Sequence, residues 1–316
     1  MRIVSSIMPP DFIQNEVQEQ FPGVNFQFFK GFEAAKEAFY EAEVFITYGE
    51  DLNEKDIEKA SQLKWIMVMS AGLDQMPLTI CEEKEILVTN ARGVHKIPMA
   101  EFTLSCMLQH VKQVNALRNN EQKYFWNRKL PMGELCGKTL LIVGAGAIGG
   151  EIARLGKAFR MNTIGINRSG GKVDYVDELY KIDDLTVALP KADFIVSVLP
   201  STKETKHLLK LADFEQMKRS AVFINIGRGD LVEEEVLLQV FEQKLIAHAY
   251  LDVFNQEPLS EGSPFWKMDE VTVTPHLSSI TKEYLPRSFD IFKHNLHIYM
   301  NNKDGYQNVI DYKRGY

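Results

Sequence analysis

Three residues supply a cation, an acid and an imidazole at comparable places in the chain. Arg228 lies in Asn225-Ile226-Gly227-Arg228-Gly229-Asp230, Glu257 in Leu251-Asp252-Val253-Phe254-Asn255-Gln256-Glu257-Pro258-Leu259, and His276 in Val271-Thr272-Val273-Thr274-Pro275-His276-Leu277-Ser278. Each follows an apolar, β-branched run that reads as a strand. A guanidinium can grip a carboxylate with two parallel bonds and polarise the carbonyl beside it. An imidazolium can protonate an oxygen that turns alkoxide-like as hydride reaches its carbon. A carboxylate on the other ring nitrogen fixes the imidazole's orientation and stabilises the imidazolium. The trio therefore suits reduction of a 2-oxo acid, with Arg228 holding the substrate, His276 giving the proton and Glu257 holding His276. Taken singly, each has a plainer reading: a solvated Arg in a Gly-Arg-Gly turn, a structural His, and a Glu-Pro that only starts a turn. Of the other histidines, His110, His207, His248, His294 and His297 sit in helix-like or surface contexts, and His95 alone is held in reserve.

Reduction needs a hydride source, and the stretch from Thr139 to Ser169 is built to hold one. An apolar run, Leu140-Leu141-Ile142-Val143, leads into Gly144-Ala145-Gly146-Ala147-Ile148-Gly149; a helix-like segment runs to Phe159, and a second strand-like run spans Thr163 to Ile166. In a strand, turn, helix, strand context these glycines have separate jobs. Gly144 permits the tight turn, Gly146 lets the backbone approach a pyrophosphate, and Gly149 lets the helix pack closely on the strand. The helix N-terminus, at Ala147 and Ile148, offers open N–H groups to phosphate. The plain alternative is a tight turn.

The end of the second strand distinguishes the dinucleotides. A carboxylate there suits the ribose hydroxyls of NAD, whereas an Arg suits the 2'-phosphate of NADP. The chain reads Asn167-Arg168-Ser169-Gly170-Gly171, with no acid until Asp174. Arg168 and Ser169 can both donate to phosphate, so NADP(H) is expected in preference, with NAD(H) as the alternative. A solvated Arg beside a Ser-Gly-Gly loop is the plain reading.

The elements around these motifs alternate between strand and helix, which predicts an α/β fold of two doubly wound parallel-sheet domains. Strand-like runs at 2–6, 24–29, 43–48, 63–69 and 87–89 form a first, smaller domain, with helices at 11–20 and 53–60. The run ending at Met69 is followed by Ser70-Ala71-Gly72-Leu73-Asp74, either an anion-binding loop whose Ala71 and Gly72 N–H groups complete the carboxylate grip, or a simple turn. Pro98 fits the first turn of a long helix from Met99 to about Arg118. Beyond Ser169 the alternation resumes with helices at 182–189, 210–217 and 233–243 and strands at 194–199, 221–226, 248–251 and 271–274. A last helix, 282–300, crosses back. The expected domains are 1–98 with 284–316 for substrate and 99–283 for dinucleotide.

Composition sets outer bounds. With 316 residues, two domains are the default, and a content of 45% hydrophobic and 25% charged residues is ordinary for a globular protein. A formal net charge of −7 argues against nucleic acid or an anionic membrane as the main partner. Three cysteines in no metal or disulfide spacing suit a reducing cytosol, and no metal site is expected. The N-terminus lacks the apolar core of a signal peptide and no run is long enough to span a bilayer, so a cytoplasmic location is expected.

In order and separation, four of these motifs resemble the D-isomer-specific 2-hydroxyacid dehydrogenases: Gly144 to Gly149, Asn225 to Val232, Leu251 through Leu259, and Thr274-Pro275-His276. The resemblance implies a cofactor domain inserted into a flavodoxin-like substrate domain, a cleft that closes on ligand, and a homodimer. It assigns the Arg, Glu and His roles to Arg228, Glu257 and His276, and the substrate loop to Ala71 and Gly72. It also implies cofactor contacts from Leu199, Pro200, Ile226, Gly227, Arg228, Asp252 and His276. Many members carry Asp where this chain has Asn167-Arg168-Ser169, which is more similar to the NADPH-preferring glyoxylate and hydroxypyruvate reductases. Trp266, Tyr284 and Arg287 are candidate pocket residues for which packing is the plainer role. Two other readings stay open: a non-catalytic NAD(P)-sensing protein on the same fold, and a dehydrogenase of the family acting on another 2-hydroxy acid.

Overall fold

The computed structural model describes residues 1–73, 75–168 and 170–312. The chain forms two compact units, Met1–Val94 with Thr281–Tyr316, and His95–Ile280. Both are parallel-sheet α/β structures.

The first unit contains strands β1 (Arg2–Ser5), β2 (Asn25–Phe28), β3 (Val44–Thr47), β4 (Trp65–Val68) and β5 (Leu87–Asn90), in the spatial order β2-β1-β3-β4-β5. β3 and β4 are buried along their whole length, as apolar runs covered on both faces should be. Alternate residues feed two cores. Val44, Ile46, Trp65 and Met67 join Phe289, Phe292 and Leu296 of the helix Tyr284–Met300, while Phe45, Ile66 and Val68 pack with Phe32 and Phe39 on the other face. Trp65 stacks on Phe292 with centroids 5.4 Å apart and donates its indole N–H to Thr89 at 2.9 Å. That aromatic contact ties the C-terminal helix to the N-terminal sheet, within one core.

The second unit contains β6 (Thr139–Val143), β7 (Asn162–Asn167), β8 (Glu178–Lys181), β9 (Phe194–Ser197), β10 (Val222–Asn225), β11 (His248–Leu251) and β12 (Val271–Val273). Their order is β12-β11-β10-β9-β6-β7-β8, so the direction of winding reverses between β6 and β9. Leu140 pairs with Phe194 and Val143 with Ser197 there, and ligands of open α/β sheets bind beyond the carboxyl ends of such a pair. The two-residue period again divides the core: Leu140 and Ile142 face one cluster, Leu141 and Val143 the other.

Several expected elements differ. The long helix after Pro98 is two helices, Lys96–Val111 and Val114–Gln122, broken where Gln113 takes a left-handed φ of +53°. The helix expected at 182–189 is only Leu185–Ala188, flanked by short 3-10 turns. β8 and the helices Phe32–Phe39 and Leu78–Glu83 are additional. Among the described residues no helix is long and apolar enough to cross a membrane.

Candidate active site

The glycine turn joins β6 to the helix Ala147–Ala158. Gly144 has φ +107°, a left-handed conformation that costs an L-residue energy, and a Cβ there would also sit 3.0 Å from the carbonyl oxygen of Val198. At Gly149 a Cβ would lie 2.5 Å from the Gly144 oxygen, so the helix approaches the turn as closely as backbone allows. Around Gly146 a Cβ would meet nothing within 4 Å, and both Gly146 and Ala147 are exposed. Two glycines thus make the turn, and the third leaves open space in front of the helix N-terminus. Such a cradle fits a pyrophosphate.

At the end of β7, Asn167 is committed to its own loop: its Oδ1 accepts the Gly170 N–H at 2.6 Å and its Nδ2 donates to the Gly171 carbonyl at 3.0 Å. Arg168 is exposed, and its charge is felt at Glu204. Glu204 titrates below the ordinary range, first through the Thr202 hydroxyl and more weakly through Arg168. Ser169 lies outside the described residues, as does Asp74.

The ends of β9, β10 and β11 interlock. A Cβ on Gly227 would be 2.6 Å from the carbonyl oxygen of Leu199, which seats the Ile226-Gly227 turn against Leu199-Pro200. A Cβ on Gly229 would fall 2.0 Å from the Phe254 carbonyl carbon, so the turn carrying Arg228 lies directly on the one carrying Glu257. Asn225, buried at the end of β10, shapes the first of these turns: its Nδ2 donates to the Arg228 carbonyl at 2.9 Å and its Oδ1 accepts the Gly227 N–H at 3.2 Å. The Arg228 side chain is exposed and one Nη1 hydrogen bond, 2.8 Å, goes to Gly227.

Glu257 accepts twice. Its Oε1 takes the Phe254 N–H at 3.0 Å, and its Oε2 meets His276 Nδ1 at 2.8 Å. Burial pushes this carboxyl up, but the hydrogen bonds from His276 and Phe254, with the charges of His276 and Arg228, outweigh it and hold the group below the usual carboxylate range. At neutral pH it is therefore an acceptor only, so Nδ1 of His276 carries the proton toward it and Nε2 is left for other work.

His276 itself sits at φ +53°. Asp252 holds it there: the Asp252 carbonyl accepts the His276 N–H at 2.8 Å, while its buried carboxylate accepts Leu277 N at 2.8 Å, Ser278 N at 2.9 Å and the Thr274 hydroxyl at 2.6 Å. Sequence reasoning placed Asp252 at the cofactor and did not see this loop-holding role. Nor did it see Asn225, because both act on backbone groups that no residue type announces.

Ala71 and Gly72 lie in the first unit, just beyond β4. Asn90 Nδ2 donates to the Ala71 carbonyl at 2.9 Å, and Gly72 lines a small polar pocket of about 90 Å³ with Tyr48, Glu50, Ser70 and Gln75. His95, at the start of the helix Lys96–Val111, is pushed down by burial against an opposing bond from the Ser279 backbone. Tyr284 bonds the Met69 carbonyl within the first unit. No group of three or more His, Cys, Asp or Glu that could hold a metal occurs among the described residues.

Comparison with known proteins agrees with this architecture. Residues 104–278, more than half of the chain, match the D-isomer specific 2-hydroxyacid dehydrogenase NAD binding domain. A D-3-phosphoglycerate dehydrogenase from Methanocaldococcus jannaschii is 34% identical over 229 residues, covering 72% of this chain and 44% of that one. The chain therefore spans less than half the length of that relative. A glyoxylate reductase from Thermofilum pendens is 33% identical over 247 residues, covering 76% and 73%. Among solved structures, a D-isomer specific 2-hydroxyacid dehydrogenase family protein from Aeromonas salmonicida superposes with a TM-score of 0.83 at 29% identity, over 98% of this chain and 99% of that one. An NADPH-dependent glyoxylate/hydroxypyruvate reductase from Sinorhizobium meliloti, in complex with NADP and sulfate, gives 0.79 at 26% identity, over 100% and 99%. The chain belongs to the D-isomer specific 2-hydroxyacid dehydrogenase family.

Proposed function

We propose that this protein reduces a 2-oxo acid to the D-2-hydroxy acid, using NADPH in preference to NADH. The observation that carries the reading is the 2.8 Å contact between His276 Nδ1 and Glu257 Oε2, which fixes one imidazole nitrogen and leaves the other for proton transfer. His276 Nε2 gives its proton to the substrate oxygen, and Glu257 keeps the ring in place and balances the charge. Arg228, one turn away, holds the substrate carboxylate with the guanidinium N–H groups that Gly227 does not take. Ala71 and Gly72, small residues at the carboxyl end of β4, keep their reading as carboxylate-binding backbone.

The dinucleotide, when bound, supplies the hydride. Gly144, Gly146, Ala147, Ile148 and Gly149 would hold its pyrophosphate, and Leu199, Pro200, Ile226, Gly227 and Asp252 the part nearest the dyad. Arg168, with Asn167 shaping its loop and Ser169 next in sequence, would take the 2'-phosphate. The NADP-bound Sinorhizobium reductase supports that preference, and the glyoxylate reductases among the relatives support the reductive direction.

A homodimer is part of the same reading. Tyr124, Phe125 and Trp126 are 98%, 59% and 89% exposed, and the helix Val114–Gln122 before them buries none of its residues. A second copy would cover that aromatic surface, and the mass in solution tests it.

Initial rates of NADPH and NADH oxidation with glyoxylate, hydroxypyruvate, pyruvate and phenylpyruvate, with the product's configuration, test the activity. Oxidation faster with NADPH and a D-product is expected. Tight cofactor binding with no turnover would instead make the chain a nucleotide sensor on this fold.

A further inference from the structure

The second unit holds a cavity of about 410 Å³ that has the catalytic dyad as one wall. His276 and Glu257 line it together with Phe254, Pro258, Leu259, Trp266 and Val273. The volume is within the range of small-molecule sites, about 300–1,000 Å³. Its polar groups are concentrated at the dyad side. Asp252 also contributes, but its carboxylate is committed to Thr274, Leu277 and Ser278. The remaining surface is aliphatic or aromatic.

Trp266 gives the cavity a defined face. The indole N–H donates to the Ser260 carbonyl at 2.9 Å, which fixes the ring, yet the residue is 50% exposed. A large aromatic held by its one polar atom and left half open presents surface to something else. Among the described residues no Lys or Arg lines the cavity. The ionised Glu257 on its wall disfavours an anionic group in the same space.

We propose that this cavity receives the side chain of the 2-oxo acid, and that the substrate class is a 2-oxo acid with an aromatic or branched apolar side chain. This rests on the reductase reading above. We place the carbonyl oxygen at His276 and the substituent on the carbonyl carbon toward Leu259 and Trp266, which line the same cavity. The carbonyl takes up two electrons and one proton as hydride from NADPH, which leaves as NADP+, and the second proton comes from His276; the C=O double bond becomes H–C–O–H. Glyoxylate has no side chain to fill the cavity, hydroxypyruvate brings a hydroxyl that finds no partner on the apolar wall, and a phosphorylated side chain meets no cation among the described lining residues. Leaving a polar group unpaired, or an apolar wall wet, loses transition-state binding in each case.

The test is a comparison of kcat/KM for phenylpyruvate, 4-methyl-2-oxopentanoate, glyoxylate, hydroxypyruvate and 3-phosphohydroxypyruvate, with NADPH and the full chain, in the wild type and in Trp266→Ala and Trp266→Phe. The two apolar acids are expected to lead glyoxylate by about 10- to 100-fold. In Trp266→Ala the phenylpyruvate-to-glyoxylate ratio should fall about 10-fold, and Trp266→Phe should restore most of it. A wild type that prefers glyoxylate, hydroxypyruvate or the phosphorylated acid, or a ratio that Trp266→Ala does not move, overturns this assignment and leaves the reductase standing. Turnover of none of the five overturns the reductase reading and the cavity's role with it. Because Trp266 is half exposed, both variants should fold, and an unchanged unfolding midpoint checks that.

Discussion

Asp252 holds His276 from behind, its carbonyl oxygen accepting the His276 N–H at 2.8 Å while its carboxylate takes the N–H groups of the next two residues at 2.8 and 2.9 Å. The left-handed backbone of His276, φ +53°, is unfavourable for a side-chain-bearing residue and persists only where its surroundings fix it. Truncating Asp252 to Ala strands the buried Ser278 N–H, at about 1–3 kcal/mol, and removes the acceptor of the part-buried Leu277 N–H and Thr274 hydroxyl. We expect Asp252→Ala to lower the unfolding free energy by about 3–5 kcal/mol and to cut turnover even where the protein is fully folded. Asp252→Asn keeps one acceptor and should lose less. Denaturant unfolding alongside kcat measures both; an unaltered kcat in folded Asp252→Ala would remove the residue from the positioning of His276.

Two glycines of one turn should fail differently. At Gly149 a methyl collides with the Gly144 carbonyl at 2.5 Å, so Gly149→Ala should cost about 1–3 kcal/mol of stability through forced backbone shifts. At Gly146 a methyl meets nothing within 4 Å, and φ −104° lies on the side of the map that alanine accepts. Gly146→Ala should keep the melting temperature and weaken dinucleotide binding about tenfold or more, because the methyl would stand in the proposed pyrophosphate cradle. Calorimetric titration with NADPH checks the pair, and full affinity in Gly146→Ala would count against the cradle.

Arg168 should discriminate between the two dinucleotides. A hydrogen bond to a charged group contributes about 1.5–3 kcal/mol, so Arg168→Ala is expected to raise the Kd for NADPH about 10- to 100-fold. The Kd for NADH should change little, since it offers no 2'-phosphate. Equal losses for both cofactors would refute the phosphate contact.

His248, which bonds Thr272 rather than the dyad, is expected to make stability depend on pH. Its Nε2 meets the Thr272 hydroxyl at 2.9 Å, its ring lies 5.6 Å from that of His110 and 4.8 Å from that of Tyr250, and burial, then His110, pushes its pKa from 6.5 down to about 4. The folded value is below the unfolded one, so between about pH 6.5 and pH 4 the unfolded chain binds the extra proton. Stability should therefore fall as pH drops through that window, by up to about 3 kcal/mol, and the contribution should level off below it. His248→Gln, keeping a polar partner for Thr272, should flatten the slope. Denaturation at several pH values compares the two, and identical slopes would mean that His248 does not titrate there.

The parts of this fold that were legible in the sequence are those that use side-chain periodicity. Leu140-Leu141-Ile142-Val143, Phe45 and the Trp65 run are apolar on successive residues because both sheet faces are covered, and the glycine turn is explicit in residue type. β8, Glu-Leu-Tyr-Lys at the sheet edge with no buried residue, has no such pattern. The break at Gln113 carries neither Gly nor Pro, so nothing local marks it. The site divides the same way. Arg228, Glu257 and His276 could be named because their chemistry is in their side chains. The work of Asp252 and Asn225 lies in accepting and donating to peptide groups, and Asp252 reaches 25 and 26 residues along the chain to do it. The apolar cavity is likewise a product of folding, assembled from residues between 252 and 276 that separately look like packing.

The most direct test of the account is turnover of a 2-oxo acid by His276→Asn, measured beside its NADPH affinity. Asparagine keeps hydrogen-bonding capacity near Glu257 but has no proton to give, so kcat should fall about 10²- to 10⁴-fold while the Kd for NADPH stays within about threefold of wild type. A variant that turns over at the wild-type rate would contradict the assignment of His276 as proton donor, and with it the central claim.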